Sequence, residues 1–212
     1  MDDCSTDGSL ALARKLAESD PRVTIISLEK NSGSAHARDV GLDHASGRYV
    51  TFLDADDLLD PNYLESQLRF IQEHGPIISV GYRRKAMTTV TDFLVPEETT
   101  YQSILRGNPL SCLTTMYDRT VFPDARFPED MARHEDLVFW ALLLKKDYVA
   151  KGNPEVLATY RIQKKSKNSN KIKLLKPMVH AYHRKLGLSL IRSLWFTFGY
   201  VLYSKKKYKN VH

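Results

Sequence analysis

The stretch GRYVTFLDADDLLDP, Gly47 to Pro61, sets four carboxylates, Asp54, Asp56, Asp57 and Asp60, directly behind a hydrophobic run that reads as a buried β-strand. Clustered like charges repel, and an apolar neighbourhood raises the cost of keeping them ionised, so a positive partner is expected beside them. Asp57 and Asp60 precede PNYLE and suit the acidic end of a helix, worth ~0.3–1 kcal/mol each through the macrodipole. Asp54 and Asp56 sit earlier, at the carboxyl end of the strand, where open α/β sheets bind ligands. Two carboxylates one residue apart can hold Mg²⁺ or Mn²⁺ through oxygen, and a cation so held can bridge a diphosphate. A lone D-x-D arises often by chance, but two other stretches agree with it. DDCSTDGS, Asp2 to Ser9, places carboxylates and a tight turn where a strand hands over to a helix. NSGSAHARD, Asn31 to Asp39, offers a glycine loop and, on the first turns of a helix, Arg38, which can neutralise phosphate or orient the acids. Singly, each also reads as ordinary turn or helix-entry chemistry.

The elements that must position these residues follow from periodicity. Ser9 to Asp20 has helical apolar spacing, and Arg22 to Glu29 is short and β-branched, a strand. A helix follows within Asn31 to Gly47, then the strand RYVTFLD, then a helix from Pro61 to Gly75 with proline in its first turn and glycine at its end. This alternation implies a mostly parallel sheet covered by helices. Beyond it, Ile77 to Phe93 reads as a strand pair, TTYQSILRGNP as a short helix and SCLTTMY, Ser111 to Tyr117, as a strand. HEDLVFWALLLKKD, His134 to Asp147, has the apolar stripe of a core helix, and its acidic opening alone explains no more than a helix start. EVLATYRI is the last strand, before a largely helical basic segment from about Lys171.

With 212 residues, 42% hydrophobic and 26% charged, the chain is an ordinary globular one and can bury a sizeable core. MDDCSTDGS lacks the basic and apolar regions of an export signal. Only Cys4 and Cys112 are present, without zinc spacing, which suits a reducing cytoplasm. The net charge of +6 hides an asymmetry: Val156 to His212 carries 14 Lys and Arg and no acid, against 17 basic and 25 acidic residues before it. Such a block points to an anionic partner or a solvated helix face.

The motifs together resemble the family 2 glycosyltransferases, nucleotide-sugar-dependent enzymes of the GT-A fold, in order from Asp2 to about Lys176. The resemblance implies an α/β, GT-A-like fold for residues 1–170, with a basic helical segment at 171–212. The family's D-D-x-S-T-D-x-S segment, which contacts the nucleotide base, matches DDCSTDGS and nominates Asp2 and Asp3. Its N-x-G-x-x-x-A-R segment carries over Asn31, Gly33 and Arg38, and its D-x-D carries over Asp54 and Asp56 as the metal and diphosphate site. Its E-D pair matches Glu135 and Asp136, with Asp136 the implied catalytic base, inverting the anomeric carbon, and Glu135 orienting it or touching the acceptor. The later Y-R with Ser and Asn-Lys resembles Tyr160, Arg161, Ser166, Ser169, Asn170 and Lys171. Implied partners are a UDP-sugar and a glycan or lipid-linked acceptor in bacterial surface polysaccharide, at the cytoplasmic face of the membrane, with Mg²⁺ or Mn²⁺ as cofactor and no nucleic acid.

Two stretches depart from the family pattern. The family places a strand, a helix and a second strand before the acidic segment, and Met1 stands where that second strand would end. The expectation is that this form is inactive or unstable alone. LGLSLIRSLWFTFGYVLYSKKKYK, Leu186 to Lys209, is too interrupted for a spanning helix and suits either an interfacial helix, with Trp195, Tyr200 and Tyr203 at headgroup level and Lys205, Lys206, Lys207 and Lys209 near anionic lipid, or a helix packed on the body. Three competing readings are an inactive remnant, a polyanion-binding arm, and a prenyl diphosphate synthase through DDLLD, Asp56 to Asp60. The last needs an all-helical fold, whereas here the acids follow a strand.

Overall fold

The computed structural model describes residues 1–86, 89–131, 133–162 and 175–207. Helix α1 (Ser9–Ser19) opens the chain, followed by α2 (Ser34–His44), strands β1 (Tyr49–Thr51) and β2 (Leu58–Leu59), and α3 (Tyr63–His74). Then come β3 (Ile77–Lys85), β4 (Val90–Phe93), β5 (Glu98–Thr99), α4 (Tyr101–Ile104), β6 (Thr115–Asp118), α5 (Glu135–Leu144) and β7 (Ala150–Arg161). Helix α6 (Leu175–His180), a π-helical turn at Ala181–Lys185 and α7 (Leu190–Lys207) end the described chain.

The strands form one seven-stranded sheet in the order β1-β6-β3-β7-β2, with β4 beside the second half of β3 and β5 beside β7. The α/β architecture holds, but the sheet is mixed: β3 and β7 are parallel, and the other five strand pairings are antiparallel. Two causes lower the parallel content. The β-branched run Arg22 to Glu29 makes no strand, and its backbone pairs with the chain start through one parallel bridge, Asp2 to Ser27. Among the described strands, β3 and β4 close a hairpin, which is antiparallel by construction, while β1 with β6, β3 with β6, and β2 and β5 with β7 are antiparallel pairs between strands distant in the chain.

One core cluster dominates. Helix α5 is apolar almost all round, with Leu137, Val138, Phe139, Trp140, Ala141, Leu143 and Leu144 buried, and a helix of that kind belongs in a protein's centre. Phe52, at the end of the strand run leading to the acidic loop, packs edge-on to Phe127 and Phe139 at 5.3 and 6.1 Å between ring centres. The C-terminal segment joins the same core through Met178, Ala181, Tyr182, Leu186, Leu188 and Phe196. The Tyr182 hydroxyl donates to the Leu105 carbonyl at 2.6 Å. By contrast, α1 buries none of its residues.

Candidate active site

Asp2 and Asp3 are held against the loop that starts α2. The Asp2 backbone bonds Ile26 and Leu28 on either side of its bridge to Ser27. Its carboxylate accepts from the Ser5 N–H and the Ser27 hydroxyl, and hydrogen bonds from Ser5, then Ser27, hold it below the usual carboxylate range. The Asp3 carboxylate takes the backbone N–H of Ser32 at 2.7 Å and of Gly33 at 2.8 Å, while Asn31 Nδ2 donates to the Asp3 carbonyl. Gly33 occupies the position before α2 with φ +89°, a conformation that costs glycine nothing. The expected nucleotide-contacting residues Asp2, Asp3, Asn31 and Gly33 therefore form one connected loop pair.

Arg38 on α2 joins the two acidic stretches. Its Nη2 donates to Asp54 Oδ1 at 2.8 Å and its Nη1 reaches Glu135 Oε1 at 3.5 Å, with the guanidinium carbon 5.4 Å above the centre of the Phe127 ring. Burial works against its charge, yet Asp54 and Glu135 outweigh that and hold its pKa above the ordinary value. This is the cation the clustered carboxylates require. Asp39, next to it, is buried and accepts the Phe127 N–H at 2.9 Å, which fixes the ring on which Arg38 rests. That support had no sequence signal beyond adjacency to Arg38.

In the acidic loop, Asp54 is exposed and Asp56 partly so. Asp57 and Asp60 do not serve as helix-end acids: Asn62 precedes α3, and both acids are committed elsewhere. Asp57 is buried and accepts the Arg161 N–H at 2.9 Å, and burial, then the neighbouring Asp56 and Asp54 charges, push its carboxyl up to about 6. Asp60 is paired with Arg83, and Arg161 Nε donates to the Asp56 carbonyl. The Arg of the expected Y-R pair thus pins the acidic loop to the end of β7. Ser166, Ser169, Asn170 and Lys171 lie outside the described residues.

Glu135 and Asp136 form the first turn of α5, whose helix end favours negative charge. Glu135 Oε1 also accepts the Ser34 hydroxyl at 3.0 Å. Asp136 Oδ2 accepts from Asn108 Nδ2 at 3.1 Å, and Asn108 Oδ1 accepts the Leu110 N–H, so the amide's orientation is fixed. Nothing in RGNP announces a residue that will hold a carboxylate 28 positions later. His134, before the helix, adopts the left-handed conformation with φ 64°. Burial drives its pKa down to about 4, and its Nε2 has no hydrogen-bond partner. Cys112 lies among these groups, and burial pushes its thiol up, so it remains uncharged at neutral pH.

No group of three or more His, Cys, Asp or Glu that could hold a metal ion exists among the described residues. Two nearby carboxylates nonetheless fit a Mg²⁺- or Mn²⁺-type ion, which takes one or two carboxylates and completes its shell with substrate phosphate and water. Asp54 and Asp56 are at least partly open to solvent. A separate hollow of ≈ 360 Å³, lined by Leu175, Lys176, Val179, His180, His183 and Arg184, includes none of them.

The sequence model described as "Glycosyl transferase family 2" matches residues 1–122. "Putative teichuronic acid biosynthesis glycosyltransferase TuaG" of Bacillus subtilis (strain 168) is 38% identical over 211 residues, 98% of this chain and 83% of that protein. "UDP-Glc:alpha-D-GlcNAc-diphosphoundecaprenol beta-1,3-glucosyltransferase WfgD" of Escherichia coli is 31% identical over 217 residues, 98% of this chain and 84% of that protein. Among solved structures, S. aureus TarS 1–349 in complex with UDP-GlcNAc superposes with a TM-score of 0.69 at 22% identity, over 91% of this chain and 58% of that one. The likeness to TarS is one of fold, and the chain spans less than two thirds of the TarS length.

Proposed function

The chain belongs to glycosyl transferase family 2, and on that premise we propose that it moves a sugar from a UDP-sugar to a lipid-linked glycan acceptor of bacterial surface polysaccharide, inverting the anomeric carbon. The observation that carries this reading is Arg38, bonded at once to Asp54 of the acidic loop and to Glu135 of the helix-end pair. One cation thereby ties the proposed diphosphate site to the residue beside the proposed base. The nucleoside would lie along Asp2, Asp3, Asn31 and Gly33, with its diphosphate toward Arg38, Asp54 and Asp56. Asp54 and Asp56 would hold Mg²⁺ or Mn²⁺, which when bound stabilises the charge developing on the leaving diphosphate.

The acceptor hydroxyl gives its proton to Asp136 as its oxygen bonds to the anomeric carbon and the bond to the diphosphate oxygen breaks. Asn108, bonded to one Asp136 oxygen, keeps the carboxylate from turning, and Glu135 orients the acceptor. UDP is favoured because WfgD is named for UDP-Glc and TarS was solved with UDP-GlcNAc. The lipid-linked acceptor follows the diphosphoundecaprenol in WfgD's name and the basic C-terminal segment, which also suits work at the cytoplasmic membrane face.

A thermal melt with UDP and Mn²⁺ tests the donor site, beside UDP alone and an Asp56→Ala variant. The expected result is a cooperative transition raised by several degrees by saturating UDP only with metal, the rise vanishing in the variant. A transition that UDP and Mn²⁺ leave unmoved overturns the reading.

A further inference from the structure

Helix α7 has two opposite faces. Its inner face, Ser193, Phe196, Thr197 and Tyr200, packs on the body, with Tyr200 edge-on to His134 at 5.6 Å between ring centres. Tyr203 continues that face and rests on Gly107, where any Cβ would fall 2.2 Å from the tyrosine ring, so only glycine admits the contact. Gly107 adjoins Asn108, and His134 lies two residues before Asp136, the partner of Asn108. The inner face of α7 thus grips the loop that carries Asn108 and the residue before the helix that carries the proposed base.

The outer face is apolar and bare. Ile191, Leu194, Trp195, Phe198 and Leu202 recur at helical spacing, with Ile191 82%, Trp195 70% and Phe198 62% exposed. This stripe runs ~18 Å along the helix. A large exposed apolar stripe beside polar surface identifies a contact for a partner or a membrane. Among the described residues no helix is long and apolar enough to cross a bilayer. The helix ends in Ser204-Lys205-Lys206-Lys207, and the whole segment from Val156 carries 14 basic residues without an acid. The first 155 residues carry excess acid. This asymmetry along the chain favours an anionic partner for the C-terminal segment.

We propose that the outer face of α7 is a membrane-docking surface that lies in the headgroup region of an anionic bilayer. The stripe sinks among the acyl-chain ends, with Trp195 at the interface, while the exposed Lys205 meets lipid phosphates. Its inner face then holds the Asn108 loop and the start of α5 about one helix diameter, ~10 Å, above the lipid. Where Asp136 is the base, which rests on the function proposed above, that height suits an acceptor sugar carried on a membrane lipid. This arrangement revises the expectation for the segment: Trp195 faces out, but Tyr200 turns inward to the core and Tyr203 to Gly107.

The test uses the whole chain without donor, so that it stands whether or not glycosyl transfer is confirmed. Vesicles of phosphatidylcholine alone are compared by co-sedimentation with vesicles containing about one third phosphatidylglycerol, at low and high salt. The expected result is at least tenfold stronger binding to the anionic vesicles, weakened by salt, with a blue shift of tryptophan emission. Trp140 is buried, so the shift reports Trp195 and disappears in Trp195→Phe while binding persists. Phe198→Glu should abolish binding without moving the melting temperature, and Lys205→Glu should weaken it severalfold. Absence of binding to either vesicle overturns the proposal. So does a concentration-dependent dimer abolished by Phe198→Glu, which would assign the face to a second copy of the chain.

Discussion

The two acidic ends of the site are held by different physics. On the proposed donor side the carboxylates lie on loops and are fixed by hydrogen bonds: Asp3 on the Ser32 and Gly33 amides, Asp57 on the Arg161 amide, Asp54 on Arg38. On the other side Glu135 and Asp136 ride on α5, whose next residues are buried in the main core. Hydrogen-bonded loops are ordered by interactions of about 1 kcal/mol each, whereas a packed helix is ordered by side-chain burial of several kcal/mol. The acid pair is therefore anchored more strongly than the loops it must meet. Arg38 and the Phe127 ring beneath it are the join between them.

If that contrast holds, the largest loss comes from the packed side. Phe139 is fully buried and stacked 4.0 Å from Phe127. Phe139→Ala should cost about 3–5 kcal/mol of unfolding free energy by urea titration. It should also loosen the support under Arg38. A loss below about 1 kcal/mol would mean α5 is not the anchor.

Next comes the join itself. Arg38→Ala leaves Asp54 and Glu135 without their shared cation, and transfer should fall by roughly 10²–10³-fold, the scale seen when one preorganised donor is removed. Because Asp54 is exposed, its charge can be solvated, and stability should change far less than in Phe139→Ala. A steady-state assay of UDP release beside a melt separates the two effects. Equal losses of both would make Arg38 a structural rather than a functional link.

The contrast also explains what could be read in advance. Helices α1, α2, α3 and α5 were legible because their spacing is local, and the acidic and glycine motifs because each is contiguous. The mixed sheet was not, since a strand exists only where a distant partner accepts it: the β-branched Arg22 to Glu29 finds one bridge at Asp2, while the two-residue β2 finds β7. In the site, Arg38, Asp54 and Glu135 were each legible, but not that one guanidinium touches both acids. Asn108 and Asp39 act only through contacts across the fold.

A smaller effect tests the loop at the head of α5. His134 titrates at about 4 in the folded chain because burial, partly offset by Glu135 and reinforced by Arg133, disfavours its charged form. In the unfolded chain it titrates at the ordinary 6.5, so between about 4 and 6.5 the unfolded chain binds more protons, and the histidine's contribution, intact above pH 6.5, is lost as pH falls. His134→Asn removes the titration with a residue that tolerates the left-handed backbone. Urea titrations at pH 7 and pH 4 should show the parent losing roughly 2 kcal/mol more than the variant over this range. Parallel losses would place the ring in water rather than under Tyr200.

The smallest effects lie on the donor side, where they discriminate best. Asp3→Ala frees the Ser32 and Gly33 amides. Both can turn to water, so the cost should be about 1 kcal/mol, as for a lost helix cap. The same substitution should weaken UDP binding, because the loop before α2 loses its fixed conformation. Leu12 on α1 is 61% exposed and touches no core cluster, so Leu12→Ala should move stability by less than about 0.5 kcal/mol and leave UDP binding unchanged. Calorimetric titration of UDP into both variants decides between two accounts of the N-terminal segment. If Asp3→Ala alone weakens UDP, the hydrogen-bonded loop is the functional unit and α1 is carried along with it. Should Leu12→Ala weaken UDP as much, the helix itself braces the nucleotide loop, and the division between a loop-built donor side and a packed acid pair fails where it is most exposed to solvent.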